Sequence, residues 1–417
     1  SNAQLWQLLG LQSSYIYTLA LHPVNPDTIY AGAGRLYRST DGGLTWHTLY
    51  PGGCQDIAIH PYNPQIIYIV SGTVMKTIDG GHNWFPANSG INLNPEEFLW
   101  SIEINPILPH VLFAGSGGFY GGKLFRTLSA GNYWSQIGDT IPQLNNGTTE
   151  ITSHPVDPFV AFVGTAWFGD VMKTMDSGDS WIATGIQLGI VEDIKIDHQN
   201  PNVVYAVGSS NGFKKSEDGG NSWNTYNAGL PPNVGLKAVV IDHHSEMLYL
   251  ATQHSVYRSN IDTIQWEIFS SGLPSNVHPT TMVMDTFNSI LYLGTEHGIY
   301  KTDVVTGTSV EGTTILPVNP HLYQNYPNPF NPTTTIKFQI PKSGFAILKI
   351  IVILGKEVAT LLEKELPPGT YTVQWDGTND AGIPVASGVY FYRLEVASQQ
   401  GRTGNGFVQT RKMLLMR

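Results

Sequence analysis

One nine-residue pattern recurs through the first two thirds of the chain and decides what it can fold into. Its fullest copy is Arg38-Ser39-Thr40-Asp41-Gly42-Gly43-Leu44-Thr45-Trp46. Close copies run from Lys76 to Trp84, Lys173 to Trp181 and Lys215 to Trp223. Two worn copies run from Arg126 to Trp134, with Ser129 in the aspartate slot, and from Arg258 to Trp266, with Asn260 there. The closing tryptophans lie 38, 50, 47, 42 and 43 residues apart. That period is the length of a four-stranded propeller blade.

A second signature precedes each copy. Leu21-His22-Pro23-Val24-Asn25-Pro26 is followed by the apolar Thr28-Ile29-Tyr30, and variants begin at His60, Asn105, His154 and Asp197. Pro is barred from a ladder and Asn or Asp turns the chain, so this is the hairpin between a blade's first two strands. His22, His60 and His154 read as structural members of that hairpin, and His243-His244 as a variant of it. A seventh unit starts near Thr280 but lacks the nine-residue pattern and its Trp. The N-terminal Gln4-Leu5-Trp6-Gln7-Leu8-Leu9 is an orphan strand that carries one. It is expected to complete the last blade and leave no open edge. Ser1-Asn2-Ala3 reads as a cloning remnant. The expectation is all-β: a seven-bladed propeller over residues 4–305, a linker over 306–322 and a small Ig-like sandwich over 323–417.

The nine-residue pattern resembles the Asp-box, or BNR, repeat. Sialidases, sortilin-type receptors, xyloglucanases and photosystem II assembly factors carry similar repeats, so the resemblance implies a fold and not a function. It implies that Asp41, Asp79, Asp176 and Asp218 tie together a turn on the face opposite the usual ligand site. Ser129 and Asn260 should make weaker turns.

Chemistry is therefore sought at the other face, at the inner-strand starts and the loops between second and third strands. Gly115–Gly122 is glycine-rich and holds Phe119 and Tyr120; no Lys-Ser/Thr follows, so it is no phosphate loop. Trp167, Phe168 and Asp170 stand in a second loop, with His254, Glu296 and His297 in two others. Inner-strand starts add Asp56, Glu96, Glu97, Trp100, Glu150, Glu192, Asp193 and His278. Aromatics flanked by carboxylates suit a sugar or a peptide. As ligand contacts the candidates are Phe119, Tyr120, Trp167, Phe168, Asp170, Trp100, Asp193, His254, Glu296 and His297. Were the protein a glycosidase, Glu150, Glu192 and Glu96 would be its acid/base candidates. Resemblance to sialidases fails at the site: their three clamping arginines and Arg-Ile-Pro motif are missing, and Arg38, Arg126 and Arg258 belong to the repeat. No ligand spacing for a metal and no nucleophile elbow occurs, and no cofactor is expected. Cys54 is the single cysteine, so no disulfide can form within the chain.

The C-terminal part carries Tyr326-Pro327-Asn328-Pro329-Phe330-Asn331-Pro332, Leu354-Gly355-Lys356-Glu357, Pro368-Gly369-Thr370-Tyr371, Trp375-Asp376-Gly377 and Ser387-Gly388-Val389-Tyr390-Phe391-Tyr392. Alternating apolar runs between frequent turns read as a sandwich. These motifs resemble the C-terminal sorting domain of proteins exported by the type nine secretion system, departing from it at Ile351-Val352. The resemblance implies delivery to the cell surface or medium through the secretion machinery.

Charge divides the same way. Residues 1–317 hold 12 Lys and Arg against 26 Asp and Glu, net −14, while 318–417 hold 10 against 6, net +4. An acidic propeller excludes nucleic acid as a partner, since that needs basic surface. No apolar run reaches the roughly 18 residues of a membrane span. The expected function is a secreted or surface-bound binding module for a glycan or an extracellular protein. The alternative is a glycoside hydrolase related to xyloglucanases. A scaffold role like that of the photosystem II factor would conflict with a surface address.

Overall fold

The computed structural model describes residues 5–23, 25–117, 121–138, 147–166, 169–243, 245–304, 320–323, 325, 328, 330–353, 355–397 and 407–416. They divide into two compact units, one up to Thr306 and one from Gly307. Among the described residues there is no helix.

The first unit is a ring of seven four-stranded antiparallel sheets. Blades 1 to 6 are each consecutive in sequence, and their inner strands are Thr18–Leu21, Asp56–Ile59, Phe98–Ile104, Thr148–Ser153, Val191–Ile196 and Leu236–Asp242. The inner strand of blade 7 is Pro279–Asp285. Each inner strand packs beside the next, and Pro279–Asp285 packs beside Thr18–Leu21, which closes the circle. Blade 7 takes its outermost strand, Gln7–Gly10, from the start of the chain, with Gln7 opposite Lys301. Trp6 is anchored between blades 6 and 7: its backbone N–H donates to Ser271 O at 2.9 Å and its indole N–H to Phe269 O at 2.7 Å. The outer edge of that blade is then the short strand Gln7–Gly10, and Gly298–Asp303 is not left unpaired at the closure point.

Second strands such as Ile29–Gly32, Ile67–Val70 and Val204–Gly208 are buried along their whole length. A strand covered on both faces loses the apolar/polar alternation, which is why these read as continuous apolar runs. Tyr30, Tyr68, Tyr205, Tyr249 and Tyr292 repeat in them, all buried.

The Asp-Gly-Gly turns join the two outer strands. Asp41 Oδ1 accepts the Thr45 N–H at 2.9 Å and the Ser39 hydroxyl at 2.7 Å, while Oδ2 accepts the Thr45 hydroxyl at 2.5 Å. Asp79, Asp176 and Asp218 repeat this. Hydrogen bonds from side chain and backbone hold all four carboxyls at about 2, below the usual range. In the worn copies, Ser129 offers only its hydroxyl, to Tyr133 N–H at 3.2 Å, and Asn260 Oδ1 accepts Asp262 N–H at 2.9 Å. The second glycine serves the ring. A Cβ on Gly81 would meet Leu49 of blade 1 at 2.6 Å, and one on Gly220 would meet Phe162 of blade 4 at 2.6 Å. In blades 1, 2 and 3 the cation that opens the pattern also reaches across a joint. Arg38 donates to Gly80 O at 3.0 Å, Lys76 to Ala130 O at 2.8 Å and Arg126 to Ser177 O at 2.7 Å, each in the next blade's turn.

The hairpin after each inner strand is held by one acceptor side chain. His60 Nδ1 accepts the N–H groups of Tyr62 and Asn63 at 3.2 and 3.1 Å. His22 and His154 do the same work. In other blades the acceptor is the Oδ1 of Asn105, Asp197 or Asp285. A histidine can fill this role only while its Nδ1 is unprotonated. Burial lowers the pKa of His22, His60 and His154 accordingly.

The second unit is a sandwich. Its sheets are His321–Leu322, Thr334–Ile340 and Gly369–Trp375, and, in spatial order, Glu357–Leu366, Gly344–Val352, Gly388–Ala397 and Phe407–Leu415. Alternate residues Ile336, Phe338 and Ile340 face Leu348, Ile350, Tyr392 and Leu394 in one core. The Tyr392 hydroxyl donates to Tyr323 O at 2.7 Å and accepts the Asn325 N–H at 2.7 Å. Ile351 and Val352 lie in strand, opposite Phe391 and Tyr390.

Gly81→Ala and Gly42→Ala separate the ring from the turn. Both glycines have positive φ, 68° for Gly42 and 94° for Gly81, but a Cβ on Gly42 meets nothing within 4 Å. Gly42→Ala should cost about 1 kcal/mol of stability through backbone strain, and Gly81→Ala about 1–3 kcal/mol more from overpacking, read from denaturant midpoints. Equal losses would overturn the packing role of Gly81. For the hairpins, a lowered folded pKa means the contribution is complete above the unfolded value of about 6.5 and is lost as pH falls below it. His60→Asn keeps an acceptor that blade 3 already uses. Its melting temperature should therefore fall less than that of the parent between pH 6.5 and 5, whereas an unchanged slope would contradict the acceptor role.

Candidate functional site

In each blade the hairpins and Asp-Gly-Gly turns share one end of the ring axis. The inner strands start at the other end, together with the loops between second and third strands. That end is the candidate mouth.

Four aromatic side chains stand there at strand starts. Tyr15 and Tyr17, just before the inner strand of blade 1, are 44% and 48% exposed and lie 4.8 Å apart, tilted against each other. Phe98, the first residue of blade 3, is 47% exposed and meets half-buried Trp100 edge-on at 5.5 Å. A Cβ on Gly117 would meet the Trp100 ring at 2.5 Å, so glycine there is what lets the indole lie against its own blade. Burial raises the Tyr15 phenol, and the negative charges of Glu296 and Glu192 add to the effect. Glu296 is half-buried and His297 exposed, on the turn after Ile290–Thr295. His254 is exposed and its ring packs edge-on against His278 at 5.0 Å. His278 bonds through Nδ1 to Gln253 O at 3.1 Å.

Along the inner strands the charged groups are engaged with one another. Glu192 Oε1 pairs with Lys237 at 2.7 Å. Asp193 is buried, accepts the Val239 N–H of blade 6 at 2.9 Å and pairs with Lys195. Glu150 lies 3.8 Å from the same ammonium, and burial raises its carboxyl well above the usual range. Asp56 Oδ2 accepts the Ile102 N–H of blade 3 at 2.8 Å, and Oδ1 accepts the Ile57 N–H at 2.8 Å.

The sequence candidates thus separate. Trp100, Glu192, His254, Glu296 and His297 stand at or near the mouth. Glu150 and Asp193 belong to the axial cluster. Asp170 is half-buried in its own turn, where its N–H donates to the Thr165 hydroxyl at 3.1 Å. Glu96 is exposed, and Glu97 is tied to Lys123 at 3.0 Å and to Asn94. Phe119, Tyr120, Trp167 and Phe168 lie outside the described residues. Sequence reasoning missed Tyr15, Tyr17 and Phe98, although an aromatic just ahead of a predicted inner strand was a usable signal. It also passed over Glu103, Lys195 and Lys237, which follow the alternation of those strands. Among the described residues no cluster of His, Cys, Asp or Glu could hold a metal ion, and no helix is long and apolar enough to cross a membrane.

Comparison with known proteins supports this architecture. Residues 334–401 match the FlgD Ig-like domain family. No curated protein matches the chain. Among solved structures it is similar to YCF48 from Cyanidioschyzon merolae, at 13% identity and TM-score 0.54, over 72% of this chain and 98% of that one. A structure of YCF48 bound to D1 peptide gives TM-score 0.56 at 13% identity, over 74% and 98%. PorZ, described as an essential bacterial surface component of the type-IX secretion system of Porphyromonas gingivalis, gives 0.53 at 17% identity, over 96% of this chain. This chain spans 59% of PorZ. At such identities the likeness concerns the fold alone, a β-propeller, and the family match adds the Ig-like domain that follows it.

Proposed function

We propose that the propeller is an extracellular docking module that takes a segment of another protein at the mouth. The observation that carries this reading is the set of exposed rings, Tyr15, Tyr17 and Phe98 with Trp100, gathered at one axial end beside Glu192 and Glu296. Large rings with few rotatable bonds are the side chains that anchor protein interfaces. The net −14 of residues 1–317 favours a basic segment, whose approach the field would speed. The peptide bound to YCF48 is a precedent on a similar ring.

The nine-residue turns serve as scaffold, a reading supported by carboxylates engaged in hydrogen bonds inside their own turns. The C-terminal unit is read as an export address for the type nine secretion machinery, a reading that the likeness to PorZ along most of the chain supports. Hydrolysis is the weaker reading. A glycosidase needs one carboxyl free to give a proton and another free to act on the opposite side of the bond. Here Glu192 is committed to Lys237 and Glu150 to the group around Lys195.

The test is a titration of the full chain with short synthetic peptides of basic, neutral and acidic composition and with soluble polysaccharides. Basic peptides should bind most tightly. Tyr17→Ala and Trp100→Ala should each weaken binding about tenfold, or about 1.4 kcal/mol. Polysaccharide binding that depends on the same rings would replace the protein partner with a glycan. Peptide binding that survives both substitutions would remove the mouth from the reading.

A further inference from the structure

The axis of the ring carries more negative charge than its one ammonium can balance. Asp56, Glu103, Glu150 and Asp193 come from the inner strands of blades 2, 3, 4 and 5, and Lys195 from blade 5. Lys195 pairs with Asp193 and lies 3.8 Å from Glu150. Three of the four carboxylates also clasp a neighbouring blade by its backbone. Asp56 accepts Ile102 N–H at 2.8 Å and the Thr18 hydroxyl of blade 1 at 3.3 Å. Glu103 Oε1 accepts Ser153 N–H of blade 4 at 2.9 Å, and Asp193 Oδ2 accepts Val239 N–H of blade 6 at 2.9 Å. The other groups facing this space are few. The Glu192–Lys237 pair joins blades 5 and 6, and Cys54 lies beside Asp56. Blades 4 and 7 add the uncharged Thr152 and Thr280, which donate to Ile194 O and Ile16 O at 2.8 and 2.6 Å.

We propose that this cluster is a proton-operated clasp: Glu103 and Asp56 take up protons as the pH falls from mildly alkaline to mildly acidic, and the blades are held more tightly in the protonated ring. Four carboxylates around one ammonium leave three uncompensated charges when all are ionised. Crowding like charges in a confined space drives proton uptake. The same conclusion follows group by group. Burial pushes Asp56 up to about 6 and Glu103 up to about 7, against the hydrogen bonds they accept. Burial also raises Glu150 well above the usual carboxylate range, with Asp193, Asp56 and Glu103 adding to it against the pull of Lys195. For Lys195 burial opposes the charge, but Asp193 and Glu150 outweigh it and the ammonium stays protonated.

The sign is fixed by linkage. A carboxyl whose folded pKa is raised binds its proton more tightly in the folded chain, so it favours the folded state on the acid side. Stability from these groups should fall as pH rises through about 6 and 7. This is opposite to the histidine hairpins, which lose stability below about 6.5. The range from pH 6.5 to 8.5 therefore isolates the axial cluster.

Thermal unfolding of the full chain tests this. The propeller transition should move down by about 2 °C from pH 6.5 to 8.5. Glu103→Gln keeps an oxygen acceptor for Ser153 and cannot ionise. It should melt above the parent at pH 8.5 and show a visibly smaller slope. The parent should also show an infrared carboxylic acid band that titrates across this range and is reduced in the variant. This band is read on the folded protein, and in the parent alone it tests the proton uptake if the variant does not fold. A melting temperature that is flat or rises with pH, a slope unchanged by Glu103→Gln, or no titrating acid band would each overturn the proposal.

Discussion

Everything in the propeller depends on joints between blades. A blade is a twisted sheet with two apolar faces, and it is stable only when both are covered by neighbours. Apolar contact alone does not fix how far one wedge slides past the next. The polar clasps do. Asp56, Glu103 and Asp193 take backbone N–H groups of the following inner strand at the axis. Arg38, Lys76 and Arg126 give hydrogen bonds to turn carbonyls of the following blade further out. The joints between blades 1 and 2, 2 and 3, and 3 and 4 are thus set at two radii.

This explains a mixture of residues that looks untidy in sequence. The hairpin acceptor is His in blades 1, 2 and 4, Asn in blade 3 and Asp in blades 5 and 7. What is kept is a lone pair at one distance from two amides. The glycines tell a similar story. Gly42 answers to its own backbone angle, whereas Gly81 and Gly220 answer in addition to Leu49 and Phe162 of the preceding blade.

The ring and the sandwich were legible because both leave periodic marks. Trp46, Trp84 and their successors give the blade length, and the orphan Trp6 gives the closing strand. The mouth was harder to read, for a physical reason. A carboxylate at a strand start looks the same whether it faces a ligand or clasps a neighbour, and only the third dimension assigns Glu150 and Asp193 to the axial cluster and Glu296 to the mouth. Lys195 was invisible as a partner because it sits two positions from Asp193 and one blade away from Glu150. Tyr15 and Tyr17 were hidden by the opposite error: aromatic residues near a strand suggest core, yet these two stand in the open.

Closure by the first strand has a further consequence, and it concerns time. Gln7 has no partner until Lys301 exists, so the two halves of blade 7 are the most distant contacts of the ring. A chain made or exported from one end therefore carries an unfinished sheet through nearly the whole process. Such long-range pairing is slow and leaves exposed strand edges open to misassociation. The ring is sealed only when its first strand meets Gly298–Asp303, so closure waits on the two ends of the propeller segment arriving together.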